Sequence, residues 1–144
     1  DIQLIWQTGV SFEKQALELI EGKKNIQASA FIYEMDLAYS VADIIISRAG
    51  ASTISELCLI AKPAILIPSP NVAEDHQTKN AMALVEKMAA VMVKDKEAKN
   101  ELGKTLSELL SDKKKQEELS KNIKKLAIAN SSELIVDEVL KLID

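Results

Sequence analysis

The stretch that organises this sequence is residues 42–57, which read ADIIISRAGASTISEL. Its first part, Asp43–Ile46, contains three consecutive isoleucines, which is typical of a β-strand buried on both faces. A loop of small residues around Gly50 follows. The pattern then predicts a helix over Ser52–Ala61, which ends before Pro63. A strand that passes directly into a helix is the repeating unit of parallel α/β folds.

The same alternation continues on both sides of this stretch, and beyond Asp95 the pattern is helical only. The predicted strands are Ile2–Gln7, Ile26–Ile32, Asp43–Ile46, Ala64–Ile67 and Val91–Val93. The predicted helices are Phe12–Glu21, Met35–Ala42, Ser52–Ala61, Asp75–Met88, Lys96–Leu110, Asp112–Ala129 and Ser132–Ile143. This order predicts an α/β fold with a mostly parallel sheet covered by helices on both faces.

Composition excludes several classes of function. The 144 residues are 47% hydrophobic and 28% charged, which suits one folded domain. The single cysteine, Cys58, excludes an internal disulfide and a cysteine-based zinc site, and the single histidine, His76, excludes a histidine-rich metal centre. A net charge of −4 and an aromatic content of 3% argue against a nucleic-acid binder. We expect no transmembrane segment and no secretory signal, because the apolar runs are short and the start is not basic.

Ligands of open parallel sheets bind at the carboxyl ends of the strands, and this edge carries the single arginine, Arg48. Beside it, Gly50 permits close backbone approach, and the helix that follows presents free N–H groups that suit a phosphate or diphosphate. Glu56, about one turn further, can accept hydrogen bonds from a ribose diol. An alternative interpretation of Thr53 and Glu56 is a capping box, which needs no ligand.

A second segment at the same edge is residues 68–80, PSPNVAEDHQTKN. Gln77 and Asn80 are three residues apart, so their amides share one helix face and suit sugar hydroxyls. The alternative is an ordinary helix start with Asp75 as its cap. The segment Gln7–Gly9 also lies at this edge, but the pattern there predicts only a turn.

Three stretches together resemble the C-terminal domain of the bacterial MurG family of N-acetylglucosamine transferases: FIYEM at 31–35, residues 42–57, and DHQTKNA at 75–81. The resemblance implies the C-terminal half of a GT-B fold, a Rossmann-like three-layer sandwich. It implies a donor-binding domain over residues 1–144, truncated at its N-terminal edge, because the family's glycine-rich phosphate loop is not in this sequence. The implied reaction moves N-acetylglucosamine from UDP-N-acetylglucosamine to undecaprenyl-pyrophosphoryl-MurNAc-pentapeptide (lipid I), giving lipid II for peptidoglycan.

The resemblance also implies which residues bind the donor. The backbone of Ile32 would pair with the uracil edge, with Met35 nearby. Gly50 and the helix start would meet the diphosphate and the adjacent sugar. The role of Arg48 stays open between substrate contact and bracing of its loop. The complete implied set is Ile32, Met35, Arg48, Gly50, Ala51, Ser52, Thr53, Glu56, Gln77 and Asn80.

Within that set, Glu56 would hold the ribose hydroxyls, and Gln77 and Asn80 would hold the N-acetylglucosamine hydroxyls. No metal, cofactor or nucleic acid is implied. The implied mechanism is a direct, inverting transfer in which the helix dipole stabilises the departing UDP. The general base would lie in an N-terminal domain, so the segment alone would be inactive, and the enzyme would sit peripherally on the cytoplasmic side of the membrane.

Three alternatives remain open at this point. The chain could be a stand-alone donor-binding subunit of a split UDP-sugar transferase. It could catalyse a different reaction on the same fold, such as epimerisation of UDP-N-acetylglucosamine, which would call for more acid and base groups at the edge. It could also be a UDP-sugar-binding domain without catalytic function.

Overall fold

The structure, a computed structural model, describes residues 2–142. None of its helices in that range is long and apolar enough to cross a membrane. The predicted end of the last helix, Ile143, lies outside the described residues. The strands are β1 (Leu4–Gln7), β2 (Ile26–Ser29), β3 (Ile45–Ser47), β4 (Ala64–Leu66) and β5 (Val91–Met92). The helices are α1 (Glu13–Leu19), α2 (Met35–Val41), α3 (Ala51–Ile60), α4 (His76–Val85), α5 (Asp95–Ser111), α6 (Lys113–Lys124) and α7 (Ser131–Leu140).

The chain divides into two compact units, Asp1–Ala42 and Asp43–Asp144. In the first unit β1 and β2 pair in parallel, with Leu4 opposite Ile26. In the second unit β3, β4 and β5 form a three-stranded sheet in that order, and both pairs are parallel. All predicted strands are present and every described pair is parallel, so the predicted α/β pattern is observed, with its pairing divided between two sheets.

Strand β3 differs from its predicted bounds, Asp43–Ile46, because its partner sets the register. Ile45 pairs with Ala64, and the Ile45 N–H donates to the Pro63 carbonyl at 2.9 Å. Two residues further along, Ser47 pairs with Leu66, so the strand continues one residue beyond the apolar run. The loop that precedes α3 therefore begins directly at the carboxyl end of a paired strand.

The second unit is built around an apolar core in which Ile65, Val93, Leu109 and Leu119 pack together. Ile65 lies on the central strand and is 0% exposed. Helix α6 packs against both α3 and α5. This core holds β4 and its neighbours in place, and it thereby fixes the strand ends from which the site loops leave.

The first unit buries much less apolar surface. Among its described residues, 2–42, only Ala16 is buried. Trp6 is half-buried against Phe12, with ring centroids 5.7 Å apart. Its loops are held instead by polar side chains, as where the Thr8 hydroxyl donates to the Ser29 carbonyl at 3.1 Å.

Candidate functional site

The N-terminus of α3 is open to a ligand. Gly50 occupies the cap position with φ −66° and ψ 152°, and no side chain caps the helix. Within residues 2–142 no group accepts a hydrogen bond from the N–H of Ala51, Ser52 or Thr53. Such unpaired first-turn N–H groups, together with the helix dipole, favour an anion.

The glycine at this cap is not required by its backbone angles, since a φ of −66° suits any residue. An added Cβ would meet only the Thr53 hydroxyl oxygen, at 3.7 Å, which is an ordinary contact. The absence of a side chain instead leaves room in front of the first turn. This space would admit the close approach of a ligand to the backbone, which stays a prediction.

The capping-box interpretation of this segment is wrong. A box over Thr53 and Glu56 requires Thr53 at the cap position, outside the helix. The helix begins at Ala51, so Thr53 lies inside the first turn and the cap position belongs to Gly50. Glu56 is exposed, one turn further along α3. A capping box therefore does not account for the presence of the Glu56 carboxylate at this position.

Two amides at the start of α4 fix the loop that leads into α3. The Gln77 side-chain oxygen accepts from the N–H of Ala49 at 3.2 Å and of Ser69 at 2.9 Å. The Asn80 amide nitrogen donates to the Ala49 carbonyl at 3.1 Å. Both backbone groups of the buried Ala49 are thus satisfied by α4. The structure therefore brings the two predicted segments of the second unit together.

Each of these two side-chain amides has one polar group that makes no hydrogen bond within residues 2–142 and can therefore contact a ligand. Among residues 2–142, no partner engages the Gln77 amide nitrogen or the Asn80 amide oxygen. The pair can therefore offer one donor and one acceptor, which is the combination that sugar hydroxyls need.

Asp75 does not cap α4 as predicted. It stands at the cap position, but its backbone is left-handed, with φ 54°, and its side chain makes no cap hydrogen bond. A capping side chain normally starts from extended backbone, which places its oxygen over the first-turn N–H groups. Glu74 is also left-handed, with φ 51°. The entry to α4 is therefore a strained turn rather than an ordinary capped helix start.

Arg48 ties together segments that meet at the carboxyl edge of the second sheet. Its guanidinium donates to the carbonyls of Ile67 at 3.2 Å and Pro68 at 3.4 Å, and it forms an ion pair with Asp95. All three contacts use one terminal nitrogen, and the side chain remains 55% exposed. These contacts support the bracing role that was left open for Arg48.

Ile32 and Met35 lie in the first unit, on the segment between β2 and α2. Met35 is the first residue of α2, and Ile32 lines an open cavity of about 470 Å³. The Ile32 N–H donates to the side-chain oxygen of Gln7 at 2.9 Å. The sequence pattern predicts only a turn at Gln7. The parallel pairing that sets Gln7 opposite Ser29 is the signal that links it to this segment.

Two chemically distinctive residues stand apart from these contacts. Cys58 is buried in α3, as its apolar neighbours predict. Burial raises the pKa of its thiol, and the nearby Lys87 charge offsets part of that rise. His76 is exposed and lies 3.7 Å from the Glu74 carboxylate. Within residues 2–142, the hydrogen bonds and the ion pair that fix the α3 loop involve neither of these side chains.

Comparison with known proteins identifies the family. The model of the glycosyltransferase family 28 C-terminal domain matches residues 1–135. The chain belongs to this family. The match covers both compact units and every residue of the predicted donor set.

Two similar curated proteins carry the same name. The UDP-N-acetylglucosamine--N-acetylmuramyl-(pentapeptide) pyrophosphoryl-undecaprenol N-acetylglucosamine transferase of Parabacteroides distasonis is 52% identical over 146 residues, covering 100% of this chain and 40% of the relative. The transferase of the same name from Flavobacterium psychrophilum is 51% identical over 144 residues, covering 100% and 39%. The chain therefore spans about two fifths of the length of these curated relatives.

A solved family structure shows the same fold. The crystal structure of Acinetobacter baumannii MurG matches with a TM-score of 0.84 and 31% identity, over 96% of this chain and 43% of that one. This match confirms the predicted α/β, Rossmann-like fold class, and the family match confirms the predicted resemblance. The assignment of individual residues to parts of the donor stays a prediction.

Proposed function

We propose that this chain is the donor-binding part of a hexosyltransferase. The enzyme would transfer N-acetylglucosamine from UDP-N-acetylglucosamine to undecaprenyl-pyrophosphoryl-MurNAc-pentapeptide, the lipid I of peptidoglycan synthesis, to give lipid II. The names of the relatives support the two substrates. The observation that carries the proposal is the open first turn of α3, where the N–H groups of Ala51–Thr53 have no partner within residues 2–142.

In this proposal the diphosphate of the donor lies against the first turn of α3. The aligned peptide dipoles place about half a positive charge there, and they stabilise the negative charge that grows on UDP as it leaves. A hydroxyl oxygen of the acceptor forms a bond to the anomeric carbon while the bond from that carbon to the diphosphate oxygen breaks. Attack opposite the leaving group inverts the anomeric centre, and the hydroxyl proton passes to a base outside this chain.

The other donor-set residues orient the donor for that attack. Glu56 accepts hydrogen bonds from the ribose diol one turn beyond the diphosphate. The open amide groups of Gln77 and Asn80 pair with N-acetylglucosamine hydroxyls, while their other groups hold the Ala49 loop. Arg48 positions the same loop through its contacts with the next strand end and with Asp95. Positioning of this kind lowers the entropy that must be lost at the transition state.

The proposed reaction also indicates where the enzyme works. An acceptor with an undecaprenyl tail stays in the bilayer, and UDP-N-acetylglucosamine is a cytoplasmic nucleotide. We therefore propose peripheral action on the cytoplasmic side of the bacterial membrane. No metal or cofactor takes part in the proposed step, since the helix N-terminus supplies the positive charge.

Ligand-observed NMR with UDP-N-acetylglucosamine tests the proposal, with GDP-mannose as the competing control. We expect the chain to bind the UDP-sugar selectively, with a Kd of about 1 mM. Glu56→Ala should weaken binding about tenfold or more, because a charged acceptor of hydrogen bonds is lost. Glu101→Ala, at an exposed glutamate of α5, is the matched control and should change nothing.

Equal binding of both nucleotide sugars, or full affinity in Glu56→Ala, would contradict the proposal. Selective binding without transfer by the intact protein that carries this chain would instead indicate a donor-binding subunit.

A further inference from the structure

A groove lies at the edge of the second unit that is opposite to the candidate site. Its volume is about 670 Å³, and residues of α6 form one of its walls. Asp43 and Pro63, which precede β3 and β4, line the other wall. The groove is therefore at the amino ends of the strands, whereas the loop into α3 leaves from a carboxyl end. Since α3 is about 15 Å long and runs between these edges, both places can be occupied at once.

The groove is basic, although the chain carries a net charge of −4. Four lysines line it, against only two acidic residues, Asp43 and Glu117. The lysines are Lys62, Lys113, Lys121 and Lys124. The three on α6 are exposed, and within residues 2–142 Lys121 and Lys124 form no ion pair. These charges are therefore available to an anionic partner.

A buried glutamine anchors one end of this basic wall. Gln116 is 8% exposed, and its amide nitrogen donates to the carbonyls of Leu109 at 2.7 Å and Leu110 at 3.2 Å. Its amide oxygen accepts from the Lys113 ammonium at 3.2 Å. An ammonium has three N–H donors, so this contact leaves two of them for a ligand. A buried side chain thus holds the lysine at this end of the groove in place.

The lysines on α6 are too widely spaced to share one small anion. Lys113 and Lys124 are eleven residues apart on one face of the helix, which is a rise of about 16 Å. An extended peptide of about five residues spans this distance. Glu117 lies between the two lysines on the same face. A flat and uniformly anionic surface would meet Glu117 as a like charge, whereas a peptide can place its acidic side chains on either side of it.

We propose that this groove docks an extended acidic segment of a partner protein. Complementary charge supplies the attraction, and the recessed shape selects a peptide rather than a membrane surface. Ion pairs between exposed groups are individually weak, so several must act together, and binding should weaken as salt is raised. The inference does not depend on the proposed function, because the groove and the first turn of α3 lie at opposite ends of the strands.

Amide NMR of the chain, titrated with a peptide of about nine alternating glutamate and serine residues, tests the proposal. The same peptide with glutamine in place of glutamate is the neutral control. We expect saturable shifts along α6 and at Lys62 with the acidic peptide only. Lys121→Gln combined with Lys124→Gln should weaken binding about fivefold, because two surface ion pairs are lost. Lys114→Gln combined with Lys125→Gln removes the same charge outside the groove and should weaken binding less than about twofold.

A variant that should bind more tightly excludes misfolding as the cause of a loss. Glu117→Gln removes the carboxylate between the lysines and should strengthen binding of the acidic peptide about twofold. Vesicles made of equal parts phosphatidylcholine and phosphatidylglycerol supply the uniformly anionic surface for comparison. Sedimentation with these vesicles should be the same for wild type and for Lys121→Gln combined with Lys124→Gln.

Equal shifts with the neutral peptide, or no saturable binding of the acidic one, would overturn the inference. Equal losses in the two double variants would overturn it in favour of a general effect of net charge. Loss of vesicle binding in Lys121→Gln combined with Lys124→Gln would overturn it in favour of a lipid surface. Binding of UDP-N-acetylglucosamine is measured separately, so a failure of the proposed function would leave each of these outcomes unchanged.

Discussion

The two compact units of this chain are organised by different forces. The second unit has an apolar core in which Ile65 is 0% exposed. In the first unit, among residues 2–42, only Ala16 is buried, while Val10 and Tyr33 are 83% and 90% exposed. Hydrogen bonds between polar side chains and loop backbone shape the first unit instead. The comparison teaches that polar side chains can hold the loops at the carboxyl ends of parallel strands whether or not a buried apolar core lies beneath them.

In each unit a glutamine side chain accepts hydrogen bonds from loop N–H groups near the strand ends. These two glutamines allow the most direct comparison of the units. Gln77 accepts from two N–H groups in part-buried surroundings, on a helix that rests on the core. Gln7 accepts from one N–H in an exposed position. We therefore expect the second-unit contact to contribute more to the free energy of unfolding than the first-unit contact.

The largest expected effect tests the difference in packing. Ile65→Ala should lower the free energy of unfolding by about 3–4 kcal/mol, because it leaves a cavity in a closed core. Ile5→Ala, on a strand of the first unit where the side chain is 48% exposed, should cost less than about 1 kcal/mol. Urea denaturation measures both values. Equal losses would break the contrast between the two units.

A smaller effect is expected at the amide of α4. Gln77→Ala leaves the N–H groups of Ala49 and Ser69 without their acceptor, which should cost about 1–3 kcal/mol of unfolding free energy. Gln15→Ala, at an exposed glutamine of α1, is the control and should stay within about 0.5 kcal/mol of wild type. Urea denaturation again gives the comparison. A Gln77→Ala variant as stable as wild type would show that this clamp is not needed to hold the loop.

The order of elements could be predicted because short apolar runs and amphipathic stretches alternate along the chain. The bounds of β3 could not, since the pairing of Ser47 with Leu66 depends on a strand elsewhere in the sequence. The apolar runs also do not indicate that the strand pairs divide between two sheets. Register and sheet membership come from tertiary pairing, which a local pattern does not contain.

For the candidate site, spacing predicted correctly that Gln77 and Asn80 share the first turns of one helix. Their common target, the backbone of Ala49, could not be predicted, because it lies in a different βα unit. The cap at Asp75 was predicted wrongly, since residue type does not reveal a left-handed backbone. Gln7 was missed because its contact with Ile32 follows from strand pairing rather than from a motif.

The central claim is that the open first turn of α3 binds the diphosphate of a UDP-sugar. Amide NMR of the chain during a titration with UDP-N-acetylglucosamine tests it most directly. We predict that the largest shifts occur at the N–H groups of Ala51, Ser52 and Thr53. Saturable binding that leaves the amides of Ala51–Thr53 unshifted would contradict the claim.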